Sequence, residues 1–195
     1  MDKRNDEIQR PSLEQIDREL QRLEGGQDSK KVILSALGTL TVFAALAVLV
    51  ATLLLPVVRV NRGSMTPTLW DGDVIVFLEV GTIHKGDIVA FYYNNQILIK
   101  RVIATAGEWV DIDPNGVVSI DGKPLQEPYL GDQSLGECTI PMPFQVPDGK
   151  FFVMGDHRST SVDSRAKEIG PVGQDQIVGK AILRIWPFSR IGFIT

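Results

Sequence analysis

The sequence is poor in the side chains that bind metals or cross-link a fold. Among 195 residues it has one cysteine, Cys138, and two histidines, His84 and His157. A single thiol can form neither a disulfide within the chain nor the multi-thiolate set of a structural zinc site. The histidines also lack the H-E-x-x-H spacing of a catalytic zinc site, so we expect no metal and no other cofactor.

The chain also lacks an excess of positive charge. It carries 24 acidic and 20 basic side chains, a formal net charge of −4. Nucleic-acid binding normally requires a concentrated basic surface, so a nucleic-acid partner is not expected. With 44% hydrophobic residues, the chain has room for one sizeable core plus one extra element, which predicts a single functional domain.

One long segment lacks charge altogether. Residues 32–55 are 24 consecutive uncharged residues, about 36 Å of helix against a hydrocarbon core of about 30 Å. A cleaved signal peptide has a shorter apolar core after a brief basic stretch, whereas 31 residues of mixed charge come first here. We therefore predict one permanent transmembrane helix that ends at Pro56, which cannot continue the hydrogen-bond ladder.

Flanking charge predicts the orientation of this anchor. More cations precede the segment than follow it: Arg18, Arg22, Lys30 and Lys31 against Arg59 and Arg62. Cationic flanks stay in the cytoplasm, so the N-terminus should be cytoplasmic. The predicted organisation is a cytoplasmic tail (residues 1–31), a membrane anchor (32–56) and an extracytoplasmic domain (57–195), in a single-pass protein of the cell membrane.

The tail carries a short amphipathic pattern. Behind Pro11 and Ser12, apolar residues recur at helical spacing: Leu13, Ile16, Leu20 and Leu23. This pattern is typical of a short amphipathic helix. The helix could contact a partner or lipid headgroups, or it could be solvated and partly frayed, and we favour the second interpretation.

Beyond Val57 the pattern changes to short β-rich runs separated by turn residues. Seven strands are predicted, over residues 73–78, 87–93, 96–106, 108–112, 116–120, 150–154 and 177–185. The predicted fold class is therefore mainly β. Turn signals at Asn115-Gly116 and Asp121-Gly122 predict a hairpin that protrudes from the sheet. Residues 124–149, rich in Pro, Gly and polar residues, predict an extended surface excursion.

The first candidate catalytic residue is Ser64. It lies a few residues beyond the predicted membrane exit, between Gly63 and Pro67, where a rigid turn would present a small nucleophilic side chain. On its own this signal is weak, because serine beside glycine is an ordinary turn composition.

Lys100 is the second candidate, because it is a lysine on an apolar strand face. Strand alternation places it beside Leu98 and Val102 and turns Arg101 to the other face. Burial disfavours the ammonium form and lowers the pKa of the amine. A lysine in this state can accept a proton from a serine near neutral pH.

A compact polar loop follows the predicted strand over residues 150–154. Residues 155–165 read Gly-Asp-His-Arg-Ser-Thr-Ser-Val-Asp-Ser-Arg. Taken alone, they fit a self-capped surface loop with local Asp–Arg pairs. Together with the serine and lysine segments, they form a more specific pattern.

The three segments together resemble the signature boxes of bacterial type I signal peptidases. The matching residues are Ser64-Met65-Thr66-Pro67-Thr68-Leu69, Lys100-Arg101-Val102, and Gly155-Asp156-His157-Arg158 with Asp163-Ser164-Arg165. The resemblance covers roughly residues 57–195. It implies a compact antiparallel β catalytic domain of the signal-peptidase type, preceded by one transmembrane α-helix. The single anchor and the short domain are more similar to the Gram-positive branch than to Gram-negative members with two spans.

The resemblance also implies a role for each matching residue. Ser64 would be the nucleophile, Lys100 the general base, and Ser161 the hydroxyl that orients the lysine amine. Asp163 and Arg165 would form a structural ion pair behind the site. The shallow pockets for small substrate side chains, one and three residues before the cut, would be lined by Met65, Leu69, Ile75 and Ile99.

The activity implied is that of a membrane-bound serine endopeptidase that removes N-terminal signal peptides from exported preproteins after small residues. Its partners would be those preproteins, the lipid bilayer and, transiently, the secretion translocon. The chemistry would be acyl transfer, with the oxyanion stabilised by backbone N–H groups.

Other functions fit the sequence less well. A Ser-His-Asp hydrolase using His157 lacks the G-x-S-x-G elbow around Ser64, and the family commonly has asparagine where His157 stands. An inactive homologue that only scaffolds the assembly of surface structures would not need both Ser64 and Lys100. Within the family, mitochondrial inner-membrane members remain an alternative, whereas the endoplasmic-reticulum type uses a histidine where Lys100 stands.

Arg62 departs from the pattern of the Gram-negative members. Two residues before the nucleophile they have a serine whose hydroxyl stabilises the oxyanion, and other members have glycine. The arginine could donate in place of that hydroxyl or extend toward anionic lipid headgroups, and we favour the headgroup contact.

Overall fold

The computed structural model describes residues 11–79 and 81–194. The chain divides into two units, with the boundary between Ala51 and Thr52. Most of the first unit is one helix, α1 (Leu13–Leu54). Ser12 caps its start: the Gln15 N–H donates to the Ser12 hydroxyl at 3.3 Å, and the Ser12 N–H donates to the Gln15 side chain at 3.0 Å. The helix ends two residues before Pro56, as the missing N–H of proline requires.

The apolar part of α1 is long enough to cross a membrane. Its segment Ser29–Val50 comprises 22 residues with a mean hydropathy of 2.4. The predicted N-terminal apolar helix is therefore confirmed. The amphipathic pattern before it is not a separate helix, because α1 runs through Gly25 and Gly26 without a break. Each glycine disfavours a helix by about 1 kcal/mol, a cost that the helix-forming residues on both sides outweigh.

Short β-strands make up most of the regular structure of the second unit. Its described residues contain β1 (Val57–Arg59), β2 (Val74–Leu78), β3 (Ile88–Tyr93), β4 (Gln96–Thr105), β5 (Trp109–Ile112), β6 (Val118–Ile120), β7 (Lys123–Pro124), β8 (Phe144–Gln145), β9 (Lys150–Met154), β10 (Val172–Gly173), β11 (Ile177–Trp186) and β12 (Gly192–Phe193). The seven predicted strands are all present, each within about two residues of its predicted ends.

These strands form two antiparallel sheets. The larger sheet has the order β1-β2-β11-β3-β4-β9-β10, with β12 paired to β11, and the smaller has the order β7-β6-β5-β8. Residues from both meet in one apolar cluster, where Ile103 and Phe152 of the larger sheet pack with Val110 and Val118 of the smaller. Each such buried side chain contributes about 1.5–3 kcal/mol. The mainly β fold class is confirmed.

The structure corrects two expectations about the chain after β4. The predicted hairpin does not protrude from the larger sheet, because β5, β6, β7 and β8 pair as a sheet of their own over a shared apolar face. Residues 124–149 are mostly irregular, as predicted, but they are not simply a surface excursion. Several of their apolar side chains pack against the core: Leu125, Leu135, Ile140, Met142 and Phe144.

Candidate active site

Ser64 lies on a tight turn after β1. The Thr66 N–H and hydroxyl both donate to the carbonyl oxygen of Gly63, at 3.0 and 2.8 Å, and the Leu69 N–H donates to the carbonyl oxygen of Met65 at 2.8 Å. Met65 itself is buried. These contacts fix the backbone of the turn and leave Ser64 at the wall of a cleft.

Lys100 reaches this serine from β4. Its side-chain amine lies 2.8 Å from the Ser64 hydroxyl oxygen, within hydrogen-bonding distance, and the residue is only 4% exposed. Burial lowers the pKa of Lys100 from 10.5 to about 8, although the Asp163 carboxylate opposes this shift. The amine can therefore exchange a proton with the serine hydroxyl at neutral to mildly basic pH.

One edge of β4 is open beside this pair. Strand β3 pairs with β4 from Gln96 to Arg101, but β9 pairs with β4 only over residues 101–105. The open stretch lines a cleft of about 570 Å³ together with residues 59–65. An open strand edge can pair with the backbone of an extended peptide.

The four residues predicted to line the substrate pockets lie in one buried apolar cluster, which contains Met65, Leu69, Ile75 and Ile99. Met65 and Ile99 also line the cleft, whereas Leu69 and Ile75 belong to the cluster without lining the cleft. An apolar surface therefore borders the cleft next to Ser64 and is backed by a packed core.

Ser161 is buried close to the main chain of Ser64, but its hydroxyl makes no hydrogen bond to Lys100. Within the described part of the chain, its hydroxyl oxygen has no hydrogen-bond partner at all. Its position depends on Gly155, where a β-carbon would collide with both the Ser161 hydroxyl and the Ser64 carbonyl oxygen. Ser161 thus has an unused hydrogen-bonding group beside the nucleophile.

Asp163 and Arg165 form a fully buried, bidentate ion pair. Arg165 Nε and Nη2 donate to the two Asp163 carboxylate oxygens, both at 2.8 Å. Asp163 also accepts the Gly155 N–H at 3.0 Å, and the Arg165 guanidinium donates to the Arg158 carbonyl oxygen at 2.9 Å. Residues 155–165 therefore contain a buried polar network, although Ser159, Thr160 and Val162 are exposed, and they are more than a self-capped surface loop.

A second buried ion pair, which the sequence did not predict, joins Arg101 to Asp156. The guanidinium donates to the carboxylate oxygens at 2.9 and 2.8 Å and lies 4.0 Å from the centre of the Tyr129 ring. The Thr68 hydroxyl donates to the same carboxylate. The pair thus connects β4 and residues 155–165 to the turn that carries Ser64. One indication that Arg101 belongs to the site was available in the sequence, namely that it directly follows Lys100.

Residues 124–149 supply further contacts that no sequence pattern indicated. Glu127 pairs with the buried Arg158, and Asp132 accepts the N–H groups of Arg158 and Ser159 at 2.7 and 3.1 Å. These partners lie 26 to 31 residues apart in the chain, beyond the range of any local pattern. The irregular segment thus supports the loop that contacts Ser64.

His157 contacts the serine through its main chain. Its N–H donates to the Ser64 carbonyl oxygen at 3.1 Å, while its ring Nδ1 lies 2.6 Å from the Thr160 hydroxyl. The ring makes no contact with the Ser64 hydroxyl among the hydrogen bonds of the described residues. This geometry does not support His157 as the base of a Ser-His-Asp triad.

Among the described residues, potential metal-binding side chains meet only in pairs, such as His157 and Asp132, whose ring nitrogen and carboxylate oxygen lie 3.8 Å apart. Over residues 11–79 and 81–194, no three His, Cys, Asp or Glu side chains converge as a metal site. The lone Cys138 is half-buried, and burial raises the pKa of its thiol, which disfavours the reactive thiolate.

The antiparallel β domain, with a serine beside a buried lysine in an open cleft, fits the class of serine peptidases. A family model described as "Signal peptidase, peptidase S26" matches residues 33–186. The chain belongs to this signal peptidase family.

Two relatives identified by sequence agree with this membership. Signal peptidase IB of Staphylococcus aureus (strain COL) is 35% identical over 181 residues, covering 83% of this chain and 93% of the relative. Probable signal peptidase I-1 of Synechocystis sp. is 41% identical over 143 residues, covering 66% and 70%. A crystal structure of a signal peptidase I from Enterococcus faecalis V583 is 30% identical with a TM-score of 0.43, covering 52% of this chain and 98% of that chain.

Family and relatives together support a bacterial type I signal peptidase, a serine protease that cleaves signal peptides. Its substrates are preproteins that carry such peptides. With the apolar helix at the N-terminus, these relatives indicate a membrane-anchored protein.

Proposed function

We propose that this membrane-bound endopeptidase cuts exported preproteins by acyl transfer, with Ser64 as nucleophile and Lys100 as general base. The observation that carries the proposal is the 2.8 Å distance between the Ser64 hydroxyl oxygen and the buried Lys100 amine. Because burial lowers the pKa of that amine to about 8, an appreciable fraction is neutral at physiological pH and can accept a proton.

In the acylation step, the neutral Lys100 amine takes the Ser64 hydroxyl proton while the serine oxygen attacks the scissile carbonyl carbon. The negative charge moves to the carbonyl oxygen. The Ser64 N–H has no acceptor among the hydrogen bonds of the described residues and is free to stabilise that oxyanion. The C–N bond then breaks, and the lysine ammonium gives its proton to the leaving amine.

Deacylation repeats this chemistry with water as the nucleophile. Lys100, again neutral, takes a proton from a water molecule that attacks the acyl-enzyme carbonyl. The ester bond breaks, Ser64 regains its proton from the ammonium, and the carboxylic acid product leaves. Ser161, with its unused hydroxyl, is the group that we assign to orient the lysine amine in both steps.

We further propose that the substrate lies extended against the open edge of β4. Its backbone would pair with residues 96–99, and its small side chains would contact the apolar surface formed by Met65 and Ile99, with Leu69 and Ile75 behind. Asp163 and Arg165 would hold residues 155–165 in place, a structural role that their complete burial supports.

The proposed topology has residues 1–31 in the cytoplasm, 32–56 in the lipid bilayer and 57–195 outside the cytoplasm. The greater number of cations before the apolar segment supports this orientation. Preproteins reach such a domain from the secretion translocon, so a transient contact with it belongs to the proposal.

The proposal is tested by incubating full-length protein in detergent with a purified preprotein and mapping the products by mass spectrometry. Wild type should make one cut after a small residue at the end of the signal peptide, and Ser64→Ala should make none. Cleavage by Ser64→Ala at the wild-type rate, or a wild type that binds preprotein but never cuts it, would refute the proposal.

A further inference from the structure

The cleft beside Ser64 contains charges that the proposed chemistry does not use. Besides Lys100, its lining includes Arg59, Arg62, Glu137 and Glu168. These four are exposed, and none forms an ion pair within the part of the chain that the structure describes. Their charges are therefore available to a ligand that enters the cleft.

Arg62 stands out among them because of its backbone. It has a φ of 74°, in the left-handed region that favours glycine and is strained for a residue with a β-carbon. Its N–H donates to the Asp71 carboxylate at 2.9 Å, which holds the strained conformation. Glycine would adopt this conformation without strain. A strained backbone at a residue that lines an active-site cleft is a reason to look for a function.

The chemistry of the side chain limits what that function can be. A guanidinium presents a planar set of N–H donors that matches a carboxylate, and it stays protonated at any physiological pH. Arg62 lies two residues before the nucleophile and lines the same cleft, so its charge is next to the path of the bound peptide. The group that it can meet there is an acidic side chain of the substrate.

We propose that Arg62 is a specificity-determining residue, which favours preproteins with an aspartate or glutamate near the scissile bond. This inference rests on the proposed function, since it places the peptide in this cleft. It differs from a role as oxyanion donor or headgroup contact, because those roles would affect every substrate alike. An ion pair with one substrate side chain changes the ranking of substrates.

The test uses full-length protein in zwitterionic detergent and peptides that span a cleavage site. Aspartate or asparagine is placed in turn at each position from five residues before the cut to three after it, and kcat/KM is measured for each peptide. Wild type should prefer aspartate at one position by about two- to fivefold, the size that exposed ion pairs produce, and less at high salt. In Arg62→Gln the ratio of kcat/KM for the aspartate peptide to that for the asparagine peptide should fall to about one. Arg62→Lys should retain most of the wild-type preference for aspartate.

The quantity compared between variants is the ratio of kcat/KM for the aspartate peptide to kcat/KM for the asparagine peptide. This ratio removes the general effect of Arg62 on the reaction rate. The Arg62 charge also helps to lower the pKa of Lys100, so its loss can change the rate for all substrates. That change cancels in the ratio of aspartate to asparagine peptides. An unchanged ratio in Arg62→Gln, or no charge preference in wild type at any position, would overturn the inference. Failure of wild type to cut even the neutral peptides would instead count against the proposed function.

Discussion

The main-chain N–H of His157 donates a hydrogen bond to the carbonyl oxygen of Ser64 at 3.1 Å. This bond joins residues 155–165 to the turn that carries the proposed nucleophile, and it does not require a histidine side chain. The same loop approaches the turn again at Gly155, which lies against the Ser64 carbonyl oxygen and the Ser161 hydroxyl. The position of Ser64 therefore depends on a close backbone approach.

That approach predicts a large effect of one methyl group. In Gly155→Ala the new β-carbon would collide with Ser161 and Ser64, so the turn must move. Because a displacement of about 1 Å near the reacting atoms can cost 10²-fold, we expect kcat/KM for a signal peptide substrate to fall about 100-fold. Gly192→Ala is the control, since nothing lies within 4 Å of its β-carbon, and it should keep wild-type activity. Wild-type kcat/KM in Gly155→Ala would contradict the close approach.

The buried pair of Glu127 and Arg158 predicts an effect on stability. Glu127→Ala leaves the fully buried Arg158 guanidinium without its carboxylate, and removal of one partner of such a pair costs about 3–5 kcal/mol. Urea unfolding of the full-length protein in detergent should show this loss. Glu137→Ala is the matched control, because Glu137 is exposed and should change the free energy of unfolding by less than about 0.5 kcal/mol. Equal stability of the two variants would show that residues 124–149 do not support the loop.

Much of the fold was predictable because its signals are local. Alternating apolar residues and turn residues located β4 and β9, and the uncharged run located the apolar part of α1. The contacts of residues 124–149 were not predictable, because their apolar side chains follow no period and their charged partners lie far along the chain. Strands β5 and β6 were predicted, but their separate sheet was not, because its other two strands, β7 and β8, have only two residues each.

The candidate site was predictable in part. Lys100 gave a physical signal of its own, as a lysine on an apolar strand face, whereas Ser64 was a weak candidate until it was considered with Lys100 and with the resemblance to a family. The pairing of Arg101 with Asp156 was missed, because the sequence shows that both are charged but not that both are buried. Ser161 was expected to orient Lys100, and the structure places it close to Ser64 without a hydrogen bond to the amine.

The proposed dyad predicts non-additive losses. Ser64→Ala and Lys100→Ala should each abolish cleavage, and the double variant should be no worse than either, because the two residues act as one unit. Lys100→Arg should also be inactive, since a guanidinium stays protonated and cannot accept the serine proton. Turnover of a preprotein followed by mass spectrometry checks all four variants. A double variant far slower than both single variants would mean that Ser64 and Lys100 act independently.

The central claim is that a neutral Lys100 amine is the general base, and the pH dependence of kcat/KM tests it most directly. The folded protein holds the pKa of Lys100 at about 8, so the active neutral form is scarce below that pH and predominates above it. We predict that kcat/KM rises about tenfold per pH unit at low pH, bends near pH 8 and then levels off, with the same profile in His157→Ala. A bend near the ordinary lysine value of about 10.4, or a bend that disappears in His157→Ala, would contradict the assignment of Lys100.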